Sequence, residues 1–435
     1  MTAIADRRWD RADSALEPLL PLEQALERML AGLEALEPER VALSEAHDRA
    51  TAEALTALVT LPPWDNSAMD GFAVRAHDLA NATAARPVTL PVVGEVAAGH
   101  PPPRAVDPGT AMRILTGAML PPGADAVVPV EETDAPRGAS LLPKRVRIRT
   151  SPEPGAFVRR AGSDLQAGAP LVARGTPLRS ADLALLAASG HGTVLVHPRP
   201  ALAVLSTGDE LVQPGEPLSP GQIYDSNGVA LAAQARWVGA EVSSVVTVGD
   251  QLDPLLDAVG RASREAHLLV VSGGVSVGAH DVVKEAFARI GSVDLWRVAV
   301  QPGKPLAFGH AVIDGRRLLL FGLPGNPVSS FVTFELFVRP VIRRLAGHAD
   351  PLARITRSAR LGEPVRKDPA RRAFLRVMLE PDREDGLIAR LAGAQGSHVL
   401  SALAAADGLA VVPEGVSSLE AGAQVEVWEL EPRIR

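Results

Sequence analysis

Five short stretches between residues 206 and 327 hold the side chains best suited to chemistry. "STGDEL" sets Ser206, Thr207 and Gly208 ahead of two adjacent carboxylates, Asp209 and Glu210. Gly249–Asp250 closes a second apolar run. "VVSGGVSVGAHDVVKEAF" (270–287) passes through Ser272, Gly273, Gly274, Ser276 and Gly278 to Asp281 and then into helical text. "QPGKP" presents Lys304 beside Pro302 and Gly303, and "GLPGNP" strings together Pro324, Gly325 and Pro327. Glycines let backbone amides approach a ligand closely, and a helix start turns its free N–H groups the same way, so such loops favour a phosphate or oxyanion. Neighbouring carboxylates suit a hard cation such as Mg²⁺, which bridges oxygen ligands to phosphates. A lysine held between prolines suits a fixed counter-charge. Each stretch also has an ordinary explanation. Asp281 complements a helix dipole, Ser206 or Thr207 caps a helix, "GLPGNP" is a structural turn, and Pro327 fits a first helical turn.

The elements around these stretches decide between the two explanations. From Pro200 to Gly347, strand-like runs ("ALAVL", "EVSSVVTV", "HLLVV", "LWRVAV", "RRLLLF") alternate with helical ones. That alternation predicts a doubly wound, mostly parallel α/β sheet. Ligands of such sheets sit beyond the carboxyl ends of the strands. Five loops leaving strands there would bring Glu210, Asp250, Asp281 and Lys304 around one crevice, with the helix after the glycine turn beginning near Ala279. Upstream, "PLEQALERMLAGL" has helical spacing, and a second helical stretch is expected over Leu43–Leu55. From Pro62 to about Thr150, prolines and glycines punctuate short apolar runs, predicting a β-rich insertion. Helical text returns in "SADLALLAASG", and from about Asp350 short runs and turns predict a small β barrel or sandwich. The expected division is 1–62 with 151–198, then 63–150, 199–347 and 348–435. In the insertion, "PPWDNSAMDGFAVR" contains Asp65, Asn66, Ser67 and Asp70, and "RILTGAMLPPGADAVV" offers Thr116 before Gly117. Asx turns account for many such clusters.

Composition narrows the function classes. The 435 residues carry a formal net charge of -7, one tyrosine and no cysteine. Without a basic stripe or stacking rings, nucleic-acid binding is disfavoured. Lack of cysteine excludes disulfides, thiolate zinc and a cysteine nucleophile, so any thiophilic metal must find its sulfur on a ligand. No apolar run reaches the ~18 residues of a membrane span, and the first thirty residues lack a signal-peptide core, so a cytoplasmic location is expected.

Taken together, "DNSAMDG", "TGAMLPPGADAVV", "STGDEL", "IYDSN", "SGGVSVG", "QPGKP" and "GLPGNPVSS" resemble the MoeA family of molybdopterin molybdenumtransferases, in order from about Leu22 to the C-terminus. The resemblance implies a late step of molybdenum cofactor assembly. Adenylylated molybdopterin and molybdate would be the substrates, Mg²⁺ the cofactor, AMP the leaving product and a homodimer the assembly. It also implies brief contacts with the molybdopterin adenylyltransferase and with recipient molybdoenzymes. Functional residues implied by matched motifs are Asp70, Thr116, Asp164, Glu210, Asp250, Asp281, Lys304, Pro324 and Pro327. Glu210 and Asp281 would hold the metal. Gly273, Gly274 and Ser276 would cradle a phosphate, and Asp70 and Thr116 would reach the molybdate from the partner subunit. The chain departs from the family pattern at Ser163–Asp164, where the family has Glu-Asp, and at Ala279–His280. Two other activities fit the same α/β text: adenylylation of molybdopterin, and a non-catalytic molybdopterin-binding scaffold.

Overall fold

The computed structural model describes residues 18–136, 138, 141–274, 282–382 and 386–432. Its centre is a six-stranded sheet. The strands are β1 (Ala201–Thr207), β2 (Glu241–Val248), β3 (Leu268–Ser272), β4 (Gly291–Arg297), β5 (Pro305–Ile313) and β6 (Arg316–Leu323), in the spatial order β2-β1-β3-β6-β5-β4. The first four of that order run parallel, whereas β5 is antiparallel to both β6 and β4. A doubly wound, mostly parallel sheet therefore carries a two-stranded antiparallel margin. β1 and β3 are almost wholly buried, as expected for strands covered on both faces. Their side chains alternate between two cores. Leu202, Val204, Leu268 and Val270 pack with Leu231 of α1 (Ser226–Trp237) and with Phe334. Ala203, Leu205, Leu269 and Val271 face Leu255 and Val259 of α2 (Leu252–Glu265) and Phe287 of α3 (Val282–Ile290).

A long helix follows β6. It comprises α4 (Pro327–Thr333), a π turn (Phe334–Val338) and α5 (Arg339–Leu345), with Pro327 in its first turn. The N-terminal helix Leu22–Leu30 has the predicted spacing and inserts Leu22, Ala25 and Met29 into the same core as Val338 and Ile342. The helix expected over Leu43–Leu55 does not form. Glu39–Ala42 pairs antiparallel with Thr193–Val196, a single 3₁₀ turn follows at Leu43–Glu45, and Leu55–Thr56 pairs with Pro170–Val172. Asp48 sits at φ 59°, outside helical space. Strand partners distant in sequence outweigh a local helical spacing too weakly supported to nucleate alone.

Between these pairs lies the inserted five-stranded sheet, ordered Ala126–Pro129, Gly71–Val74, Ala111–Ile114, Val88–Val96, Arg145–Ile148. At the C-terminus, strands Thr356–Leu361, Leu387–Leu391, Arg372–Pro381, Gly408–Val412 and Gln424–Glu429 pair in a closed ring, a five-stranded barrel. Val300–Gln301 adds to this barrel at Arg372–Ala373 and so ties it to the central sheet. Among the described residues, no helix is long and apolar enough to cross a membrane.

Candidate active site

A cavity of about 1040 Å³ opens over the carboxyl edge of the parallel strands. The loop after β1 contributes Ser206, Thr207, Gly208 and Glu210, and the β2 end contributes Asp250. From the β3 turn come Ser272, Gly273 and Gly274. Pro302, Gly303 and Lys304 precede β5, and Pro324, Gly325 and Pro327 follow β6. Ser276, Gly278, Asp281 and the expected helix start at Ala279 lie outside the described residues; α3 is described from Val282. One expectation changes in detail. "QPGKP" does not leave a strand of the sheet but enters β5, whose antiparallel course starts it at the same edge. Likewise, Ser206 and Thr207 cap no helix. The chain after them forms a short strand, Leu211–Val212, beside Ile223–Tyr224, and Asp225 caps α1 by accepting a hydrogen bond from Gly228 N at 2.8 Å.

The walls are held by close approaches that only glycine allows. At Gly273 (φ 98°) a Cβ would stand 2.6 Å from Thr207 O, and at Gly303 (φ 102°) 2.4 Å from Thr333 Cγ2. Asn227 joins two loops, donating through Nδ2 to Ser272 Oγ (2.8 Å) and to Gly325 O (2.7 Å). In contrast, Ser206 Oγ and Thr207 Oγ1 are buried with no partner. Unpaired buried hydroxyls are costly, and both residues belong to the cavity lining.

Charge is laid out along the edge. Over β2 and β1, Asp209, Glu210 and Asp250 crowd together, and Asp250 N donates to Asp209 Oδ1 at 3.0 Å. Loss of surrounding solvent, then the negative charges of Asp209 and Glu210, push the Asp250 carboxyl above the usual carboxylate range. Ahead of β5, Lys304 is half-buried, with no carboxylate in ion-pair distance among the described residues. Partial burial, then Arg297 and Arg371, lower its ammonium below the ordinary lysine value. β1 and β5 are three strand spacings apart, about 14 Å. The edge thus runs from an acidic end, past glycine amides over β3 and β6, to a basic end.

Several lining residues come from places where sequence reasoning placed no function. Arg371, Gln395, Ser397 and His398 reach the cavity from the C-terminal barrel. No local pattern marked them, because their relevance depends on how the barrel docks. Behind them Arg376, 1% exposed, donates through Nη2 to Ala394 O (3.2 Å) and Gly396 O (3.1 Å), while Gln395 Oε1 accepts from Arg376 N at 2.9 Å. A buried guanidinium thus pins the wall that carries Ser397 and His398.

Asp70, Thr116 and Asp164 do not line this cavity. Asp70 Oδ1 accepts from Thr116 N and from Thr116 Oγ1, both at 2.7 Å, in the inserted region. The backbone donor, then the hydroxyl, hold the Asp70 carboxyl below the usual range. Asp164 is exposed, with its backbone N–H bonded to Leu61 O at 3.1 Å. Among the described residues, no group of three or more His, Asp or Glu side chains is arranged to hold a metal ion.

Known proteins match this chain along most of its length. Residues 20–190 match the MoeA N-terminal region (domain I and II), 203–344 the probable molybdopterin binding domain, and 358–430 the MoeA C-terminal region (domain IV). The chain is 41% identical over 404 residues to molybdopterin molybdenumtransferase 2 of Mycobacterium tuberculosis, covering 92% of this chain and 96% of that one. It is 40% identical over 395 residues to molybdopterin molybdenumtransferase of Nostoc, covering 90% and 88% respectively. Among solved structures, a molybdopterin biosynthesis MoeA protein from Pyrococcus horikoshii superposes with a TM-score of 0.77 at 35% identity, covering 95% of this chain and 100% of that one.

Proposed function

The chain belongs to the MoeA family of molybdopterin molybdenumtransferases, and from that premise we propose that its sheet-edge cavity converts adenylylated molybdopterin and molybdate to molybdenum cofactor and AMP. The observation that carries this reading is the charge layout, with acids at one end, basic groups at the other and glycine amides between them. A substrate with a central phosphoanhydride and two dissimilar ends fits such a row.

In this reading the β3 and β6 turns, with Ser206 and Thr207, take the phosphate oxygens. Lys304 and Arg371 hold the dianionic oxyanion at the basic end. Water attacks the anhydride phosphorus, the P–O bond breaks and AMP leaves with release of two protons. The two dithiolene thiols bond to molybdenum, and two molybdate oxygens depart as water, taking the thiol protons and the two protons of the hydrolysis. All the sulfur comes from the substrate, as a chain with no cysteine requires.

Burial and then the crowding of acids raise the Asp250 carboxyl, and both fit a divalent cation, because excess negative charge is what a cation relieves. Mg²⁺ needs only one or two protein carboxylates, and Glu210 with Asp250 would hold it, joined by Asp281. When bound, it would neutralise charge on the phosphate oxygens. Asp70 and Thr116 serve in this reading as donors and acceptors from the second copy of a homodimer, since they do not line the cavity of their own chain.

The test is direct. The purified chain is incubated with adenylylated molybdopterin, molybdate and Mg²⁺, and AMP is followed together with active cofactor. The two products should appear together and depend on the divalent ion. Consumption of ATP to make adenylylated molybdopterin would instead assign adenylylation. Tight binding without AMP release would assign a scaffold.

A further inference from the structure

We propose that a second cavity, at the opposite edge of the central sheet, is a binding site for a small phosphate-bearing anion. It has a volume of about 630 Å³, in the range of small-molecule sites, and shares no lining residue with the cleft. His197 and Arg199 precede β1, Gly239 precedes β2, and Arg339 and Arg343 lie on α5, so the cavity faces the amino ends of those strands.

Its charge does not balance within the protein. Arg339, Arg343 and Arg354 surround one buried carboxylate, Glu335. Glu335 Oε1 accepts from Gln234 Nε2 at 2.9 Å, and Oε2 stands 3.9 Å from Arg339 Nε, beyond hydrogen-bond distance. The other acids at the cavity are occupied or peripheral. Glu429 accepts from Arg357 at 2.5 Å, while Asp48 and Glu431 are exposed at the rim. The three guanidiniums instead donate to neutral carbonyls. Arg339 bonds Ala353 O (2.7 Å), Arg343 bonds Asp350 O (3.2 Å) and Arg354 bonds Glu335 O (3.1 Å). Arg339 Nη1, Arg343 Nε and the Nδ1 of His348, itself only 9% exposed, are buried without partners.

Burial, then the mutual repulsion of the arginines, lowers Arg343 to about 10, and burial and Arg339 do the same to Arg354, so both remain cationic at neutral pH. Confining three cations against one buried acid, with Asp350, Asp48 and Glu426 acting only from exposed positions, is costly. An anion entering the cavity offsets that cost, and planar guanidinium forks are matched to phosphate oxygens. The π turn Phe334–Val338 supports the same reading. Such turns are rare and gather at functional sites, and this one sets Glu335 and Arg339 on the cavity wall. Trp237, 53% exposed at the lining, offers an aromatic surface for the rest of a ligand.

The experiment uses the full chain and inorganic pyrophosphate, titrated by calorimetry against wild type, Arg343→Met and Lys304→Ala. One component of pyrophosphate binding should survive Lys304→Ala and weaken about ten- to a hundredfold in Arg343→Met, the effect of losing one charge-assisted contact. Loss in Lys304→Ala with retention in Arg343→Met would assign the anion to the cleft and overturn the proposal, as would no binding at all. If Arg343→Met fails to fold, phenylglyoxal labelling of wild type decides. Pyrophosphate should shield Arg339, Arg343 and Arg354 but not the exposed Arg104. Equal labelling with and without pyrophosphate also overturns the proposal.

Discussion

Asp70 and Asp250 are the same residue type, both exposed and both beside a strand end, yet their surroundings push them in opposite directions. Thr116 gives Asp70 two donors, so its charge is already compensated within the protein. Asp250 loses surrounding solvent and then faces the negative charges of Asp209 and Glu210, so these neighbours leave its charge uncompensated. One carboxylate is compensated by its neighbours on folding and the other is not. That difference sets the direction in which each carboxyl shifts.

The sharpest way to break the contrast is to remove charge beside the uncompensated carboxylate. Glu210→Gln should lower AMP release about a hundredfold or more, the scale of losing one electrostatic contributor at the reacting phosphates, with a melting temperature no lower than that of wild type. Full activity in that variant would take the acidic end out of the chemistry. At the basic end, Lys304→Met removes a charge-assisted contact, and kcat/KM should fall about tenfold or more, chiefly through KM for molybdate. Arg376→Met tests the wall from behind. The hydrophobic replacement removes a buried cation with no acid beside it, so the fold should tolerate it, but the carbonyls of Ala394 and Gly396 lose their donor. A loss of roughly tenfold in kcat/KM from one displaced contact is expected.

How legible this was follows the same divide. The glycine and proline turns of the cleft announce themselves because backbone constraints are local, and Gly273 and Gly303 sit where any Cβ would collide. The parallel part of the sheet was readable from alternation, whereas β5 was not, because it joins β6 as an antiparallel hairpin with no helix between them. The strand pairing of Glu39–Ala42 was not, because its partner Thr193–Val196 lies some 150 residues away and no local spacing encodes it. Arg371, Ser397 and His398 escaped for the same reason, since only the closed barrel and its seam at Val300–Gln301 carry them to the cleft. Nor could sequence distinguish Asp70 from Asp250. Thr116 lies 46 positions from Asp70, and its two hydrogen bonds exist only in the fold.

The smallest effect gives the comparison its finest test, because the two regions should respond with opposite sign. A depressed folded pKa stabilises at pH above the unfolded carboxylate value, near 3.9, and that stability is lost as pH falls through the folded pKa. Asp70→Asn should therefore cost stability at neutral pH, about 0.5 kcal/mol once solvent screening of an exposed group is counted. The raised pKa of Asp250 works the other way. Its ionised form opposes folding above the folded pKa, and the penalty fades as pH falls through that value. Asp250→Asn should accordingly shift the urea midpoint slightly upward at pH 7 while lowering AMP release, and the gain should shrink toward acid pH. Added Mg²⁺ should stabilise wild type more than Asp250→Asn, since a cation relieves the same repulsion. Equal midpoints for both variants, with no response to the metal, would mean that the two carboxylates do not differ in the way their surroundings indicate.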